Sequence, residues 1–220
     1  MVFVLGNSVK VGENAPAFII AELSANHNGS FERAADIVRA AKAAGANAVK
    51  LQTYTADTIT IDCDREPFRI NGGTLWDGHT MHELYKMAAT PWDWQPELKR
   101  LADELGILLF SAPFDPSAVD FLEKMDVPAH KIASPELVDD ELLTCVAKTR
   151  KPVFLATGLA DAEEIEHALE VLDKHGSGAV VLLHCVSAYQ ASTDEMNLRT
   201  LPDMAARFGR LIGLSDHSTT

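Results

Sequence analysis

The sequence predicts an α/β protein of parallel strands: a (β/α)8 TIM barrel truncated after its seventh strand and preceded by an N-terminal β-hairpin. Three observations carry this prediction. Seven short apolar runs alternate with amphipathic helical patterns, the rhythm of strands joined by crossover helices. No Gly-rich dinucleotide loop follows any of them, which favours a barrel over a doubly wound sheet. Nearly every run ends in polar, reactive residues, among them Glu22, Lys50-Leu51-Gln52, Ser111, Lys131 to Glu136, Thr157, His184 to Tyr189 and Ser215-Asp216-His217. Charges are costly to desolvate unless paired or used. In a parallel barrel, successive strand ends form one rim, and that rim carries the site.

Each element has its own signal. Val2 to Val11 alternates about Gly6-Asn7, a hairpin that would floor the barrel. Phe18 to Glu22 is the first barrel strand. Ser30 caps a helix with Phe31, Ala34, Ala35, Val38 and Ala41 on its apolar face, and Gly45 stops it. Ala48 to Gln52 is the second strand. Residues 54–90 break the rhythm with Gly72-Gly73, Trp76-Asp77-Gly78 and a short helical pattern through Leu84 and Tyr85. A connection of that length is functional or disordered, and its aromatic content favours an ordered lid or substrate loop. Thr90-Pro91 reads as an N-cap with proline at the first helical position, opening a helix to Leu105-Gly106. Ile107 to Ser111 is the third strand, and Asp115-Pro116 caps the helix after it. Lys131 to Ala133 is the fourth, followed by a helix around Leu142 to Lys148. Val153 to Ala156 is the fifth, and Asp161 with Glu164 forms a capping box for a helix to Lys174. Val180 to His184 is the sixth, Leu198 to Phe208 contains the last helix, and Leu211 to Leu214 is the seventh strand.

The chain has 220 residues, 47% of them hydrophobic, enough for a large core in a single domain, residues 1–220. A full barrel takes about 250 residues. The expectation is therefore an incomplete barrel whose missing strand comes from other sequence, since an open one exposes apolar edges. A net charge of −13 argues against nucleic acid as a partner. It also means that an anionic ligand needs a few well-placed cations. No apolar run reaches the roughly 18 residues that span a membrane, and Met1 to Gly12 lacks the pattern of a secretory signal. Cys63, Cys145 and Cys185 show no CxxC spacing, hence neither a disulfide framework nor a thiolate zinc site. The expectation is a cytoplasmic protein with no membrane partner.

Lys50 and Lys131 stand where Val or Ile would pack in a strand. Two such cations in one barrel read as a pair holding phosphate and carboxylate. With two carboxylates, a histidine and several hydroxyls on the same rim, they suit an anionic substrate and a polar transition state. A Schiff-base lysine at either position is the alternative.

The motifs AELSANHNGS, KLQTY, FSAPFD, KIASPE, HCVSAY and GLSDH, in this order, resemble the sialic acid synthase family, which condenses phosphoenolpyruvate with an N-acylated sugar. Gly73 to Gly78, then Leu84-Tyr85 and Thr90-Pro91-Trp92, resemble its pseudaminic acid branch, as does Ser187. Gln190 departs from the proline usual there. The resemblance implies that Lys50 and Lys131 bind phosphoenolpyruvate, with hydroxyls from Ser111, Ser134, Thr157, Ser187 and Ser215 completing the cradle. It implies a divalent cation, Mn2+, Mg2+ or Co2+, on His217, with Asp216 beside it among the substrate contacts. Glu22 and Glu136 would stabilise a cation at C2 and manage the proton. Gln52 and Tyr189 would contact the sugar, and Asp77 would tune specificity. His27 is expected in a loop or behind the site, and His184 in the core. Family members carry an eighth strand with a second metal-binding histidine, then an antifreeze-like domain that reaches the partner's site in a homodimer. Neither lies within these 220 residues, so the metal site is expected half built and the full-length protein a homodimer.

Overall fold

The computed structural model describes residues 1–6, 9–74, 76–188 and 191–218. The backbone forms two compact units. One is Ile19–Asp126; the other joins Met1–Phe18 to Val127–Thr220.

The contiguous unit holds strands β3 (Ile20–Glu22), β4 (Ala48–Thr53) and β5 (Leu108–Pro113), paired in parallel. Between them run α1 (Phe31–Ala43), α2 (Ala56–Ile59), α3 (Met81–Ala88) and α4 (Gln95–Leu105), with α5 (Pro116–Lys124) after β5. The register sets the faces. Glu22 pairs with Lys50, so Glu22, Lys50 and Gln52 share one face, while Leu51 pairs with Ser111 on the other. That second face is the packed one. Val49, Leu51 and Leu109 meet Ala34, Ala35, Val38, Leu98 and Ala102 of α1 and α4 in a closed apolar cluster. Burying side chains of this size contributes roughly 1.5–3 kcal/mol each. Ser30 caps α1 by accepting from Arg33 N–H, and Asp115 caps α5 through Ser117 and Ala118.

The second unit opens with an antiparallel hairpin, β1 (Val2–Leu5) and β2 (Val9–Gly12), in the register Val2 to Gly12. Gly12 has φ +139°, and a Cβ there would stand 2.3 Å from the Met1 carbonyl oxygen, so the hairpin's end admits only glycine. Parallel strands β6 (His130–Ile132), β7 (Val153–Ala156), β8 (Val180–Cys185) and β9 (Leu211–Ser215) follow in chain order. Helices α6 (Asp140–Lys148), α7 (Ala162–Lys174) and α8 (Thr200–Phe208) connect them. The capping box of α7 is present: Asp161 accepts from Glu164 N–H, and Glu164 reaches back to Asp161 N–H. Register places Lys131, Phe154, Leu183, Cys185 and Ser215 on one face. Phe18 stacks on Phe154 there, with ring centroids 6.1 Å apart.

One expected cap is absent. α4 begins at Gln95, after a 3-10 turn at Trp92–Trp94, and neither Thr90 nor Pro91 caps it. Aromatic anchors hold this turn. Trp92 donates its indole N–H to the Tyr54 carbonyl at 3.1 Å and packs on Phe121, while Trp94 meets His27 and Phe31 edge-on. Tertiary packing thus overrides the local signal. The segment after β4 is ordered around Tyr54, which lies edge-on to Tyr85 of α3 and to Phe114. Burial there pushes the Tyr54 hydroxyl up to about 12. Among the described residues, no helix is long and apolar enough to cross a membrane.

Candidate active site

In the second unit, the side chains at the ends of β6, β7, β8 and β9 form one connected group. Lys131 lies buried on β6. Desolvation pulls its ammonium below the ordinary lysine range, partly offset by Cys185 and Glu136. Burial also pushes Glu136 up from the usual carboxylate range, with Lys131 opposing, and its Oε2 is buried without a hydrogen-bond partner. Burial thus drives both members of this acid–base pair towards their neutral forms. The Ser134 hydroxyl accepts from Gly158 N–H at 3.0 Å. A Cβ on Gly158 would stand 2.6 Å from both the Cys185 carbonyl oxygen and the Ser187 hydroxyl oxygen, so Ser187 and the end of β8 close over this glycine. Thr157 donates its hydroxyl to the Leu183 carbonyl at 3.1 Å, which commits its proton to the backbone. His217 closes the group, its Nδ1 lying 3.0 Å from the Val186 carbonyl and 3.8 Å from Cys185 Sγ. Facing a carbonyl, Nδ1 carries the proton, so the lone pair lies on Nε2. Ser215 ends β9 opposite Cys185, and Asp216 accepts from Ser218 N–H at 2.9 Å, which holds its carboxyl low.

The contiguous unit brings together Glu22, Ser24, Lys50 and Gln52. Glu22 and Lys50 form an ion pair across β3 and β4. Ser24 donates its N–H to Glu22 Oε1 at 3.0 Å and its hydroxyl to Gln52 Oε1 at 2.9 Å.

Two expectations meet a different geometry, and a third cannot be placed. Ser111 is fully buried on the helix-facing side of β5, opposite to the face of Lys50 and Gln52. Its hydroxyl meets Thr53 Oγ1 at 2.6 Å, and Thr53 donates to Gln95 Oε1 of α4 at 2.7 Å. Ser111 is therefore a link between sheet and helix rather than a cradle donor. Asp77 spends its carboxylate on its own loop, accepting from the N–H groups of Gly72, Gly73 and Thr74 and from the Thr74 hydroxyl. These bonds, from Thr74 first, hold its carboxyl below the usual range. Tyr189 lies outside the described residues.

His27 is buried, accepts from Gly29 N–H on Nδ1 and is depressed by burial; the Ala88 backbone opposes that shift without meeting Nε2 in a full hydrogen bond. His184 is half-buried and meets the Met196 carbonyl at 2.7 Å. Sequence reasoning did not assign Gly158, Cys185 or Ser24, although each stands in a polar cluster at a strand end.

Among the described residues, no group of three or more His, Cys, Asp or Glu side chains could hold a metal ion. His217 nonetheless has the form of a ligand, since metal-bound imidazoles commonly donate their other N–H to a backbone carbonyl.

Comparison with known proteins defines the class. The crystal structure of N-acetylneuraminic acid (sialic acid) synthetase from Leptospira borgpetersenii, in complex with citrate, matches 99% of this chain and 70% of its own, with a TM-score of 0.85 and 33% identity. The α/β architecture read from the sequence, seven parallel strands in chain order after an N-terminal hairpin, is therefore the one the chain adopts. The NeuB family model matches residues 37–220, and the chain belongs to the NeuB family. It is 44% identical over 201 residues to the pseudaminic acid synthase of Campylobacter jejuni, spanning 91% of this chain and 58% of that protein. It is 34% identical over 211 residues to the N,N'-diacetyllegionaminic acid synthase of Legionella pneumophila, spanning 94% of this chain and 59% of that one. The chain thus spans less than two thirds of the curated relatives it matches.

Proposed function

We propose that the full-length protein is a nonulosonic acid synthase that condenses phosphoenolpyruvate with an N-acylated aldose, releasing phosphate. The observation that carries this reading is Lys131: a cation buried at a strand end, beside the buried Glu136 and the Ser134 and Gly158 groups. A buried ammonium is stabilised when an anion joins it in low dielectric. The reading makes Lys131 and Lys50 the candidate cations for phosphoenolpyruvate and Ser134, Thr157, Ser187 and Ser215 its candidate hydroxyl contacts. Carbon C3 attacks the sugar aldehyde, water adds at C2, and phosphate leaves with cleavage of its C–O bond. Burial raises Glu136 and so favours its protonated form, which makes it the candidate proton carrier, and Glu22 is the candidate group for stabilising positive charge at C2. A divalent ion held by His217 would supply Lewis acidity to the aldehyde. Gln52, Tyr189 and Asp216 are the candidate substrate contacts, Asp77 is the candidate specificity residue, and the assembled enzyme is a homodimer.

The higher identity to the Campylobacter pseudaminic acid synthase than to the Legionella legionaminic acid synthase supports 2,4-diacetamido-2,4,6-trideoxy-altrose as the sugar. The test is phosphate release by full-length protein with phosphoenolpyruvate, Mn2+ and a panel of N-acylated sugars. Release with that sugar alone supports the reading, release with N-acetylmannosamine moves it to the sialic branch, and no release with any sugar refutes it. A second reading draws on the same lysine, because a depressed ammonium is what a Schiff-base aldolase needs. Borohydride trapping of substrate on Lys131 would select the aldolase.

A further inference from the structure

Leu23 extends the β3 ladder one residue beyond Glu22, donating its N–H to the Lys50 carbonyl at 3.0 Å. The chain then turns at Ser24, whose φ is +47°. Left-handed backbone is uncommon in a residue with a side chain, and an outlier held by its surroundings is a reason to look for function. This turn directs both polar groups of Ser24 at the rim. Its N–H folds back onto Glu22 Oε1, and its hydroxyl donates to Gln52 Oε1 on the neighbouring strand. The other Glu22 oxygen is held by Lys50. Ser24 thus ties together two side chains that lie on one face of adjacent strands. With Oε1 of Gln52 occupied, the amide NH2 is the end that Gln52 offers to a ligand. Two N–H donors at that position suit an oxygen acceptor, such as the carbonyl of an acylamino group.

We propose that Ser24 is a positioning residue for the acceptor sugar: its hydroxyl orients the Gln52 amide with the NH2 outward, and its N–H steadies Glu22 against Lys50. The inference rests on the synthase reading and extends it to a residue that does not itself touch substrate.

The test is Ser24→Gly in the full-length protein. Glycine keeps the left-handed turn and the N–H bond to Glu22, so only the hydroxyl is lost. The expected result is a melting temperature no lower than wild type and a KM for the sugar raised by roughly 2- to 10-fold, the worth of one hydrogen bond. The KM for phosphoenolpyruvate should not move, and Ser24→Gly should add nothing to Gln52→Ala in the double variant. An unchanged sugar KM overturns the proposal. A second readout does not need turnover. In NMR spectra, the Gln52 side-chain amide protons should shift and exchange faster in Ser24→Gly, and identical signals overturn the proposal as well. Loss of the synthase reading shows differently, as a wild-type protein that turns over no sugar while the Gln52 signals still respond to Ser24→Gly.

Discussion

Gly158→Ala is the sharpest test of how the site is built. Its Cβ would meet the Cys185 carbonyl oxygen and the Ser187 hydroxyl oxygen at 2.6 Å, and Cys185 Cβ at 3.1 Å. Ordinary C···O contacts lie at about 3.3–3.6 Å, so the shortfall is roughly 0.7 Å or more. The Ser187 hydroxyl can rotate away, but the Cys185 carbonyl belongs to β8, which is paired along its length to β9. The backbone at Gly158 must then retreat, and its N–H bond to Ser134 is stretched or lost. Overpacking of this kind costs about 1–3 kcal/mol, and the hydrogen bond adds about 1. For a chain of this size, each kcal/mol lowers Tm by roughly 2–4 °C, so a loss of about 4–16 °C is expected by calorimetry or circular dichroism. Phosphoenolpyruvate affinity should fall with it, because Ser134 moves. Gly72→Ala is the control: its Cβ meets Thr74 Cγ2 at an ordinary 3.6 Å, and its melt should match wild type. A Gly158→Ala protein melting within about 1 °C of wild type would refute the packing argument.

Three further outcomes follow from the site. Lys131→Met should abolish phosphoenolpyruvate binding in calorimetry while leaving the fold as stable or more so, since a buried charge is exchanged for apolar volume. Because burial depresses the folded-state pKa of Lys131, the wild-type penalty is full below that pKa and fades as pH rises towards the unfolded value; the advantage of Lys131→Met over wild type should shrink in the same alkaline window. Ser111→Ala should cost about 1–3 kcal/mol in urea denaturation, through the buried partner it leaves, and should not change the KM for phosphoenolpyruvate; a raised KM would return Ser111 to the cradle. Asp77 is depressed by its loop hydrogen bonds, so its contribution is present above the unfolded carboxylate pKa and lost as pH falls through its lower folded value. Cleavage of loop 72–78 by an acid-stable protease should rise in that acid window, and Asp77→Ala should show the same cleavage at neutral pH.

The strands and most helix starts were legible because their signals are local. Ser30, Asp115 and the Asp161–Glu164 box each cap the helix that the sequence assigns to them. Thr90-Pro91 carried the same kind of signal and failed, because Trp92 and Trp94 are held by partners far away in sequence. The phase of β5 was not legible either. A strand buried on both faces is apolar throughout, so nothing in Leu108 to Pro113 tells which side Ser111 takes until α4 brings Gln95 to it. The polar strand ends pointed to Glu22, Lys50, Lys131 and Glu136, while the turn at Ser24 and the space denied to a side chain at Gly158 exist only in three dimensions.

The stack of Phe18 on Phe154 also orders events during synthesis. The unit of residues 19–126 is contiguous and can collapse as soon as its own strands have left the ribosome. The N-terminal hairpin belongs to the other unit, and Phe18 cannot meet its partner until roughly 140 more residues have been added, on the order of ten seconds at typical elongation rates. The hairpin is thus made before the contiguous unit and docks only after that unit can have collapsed.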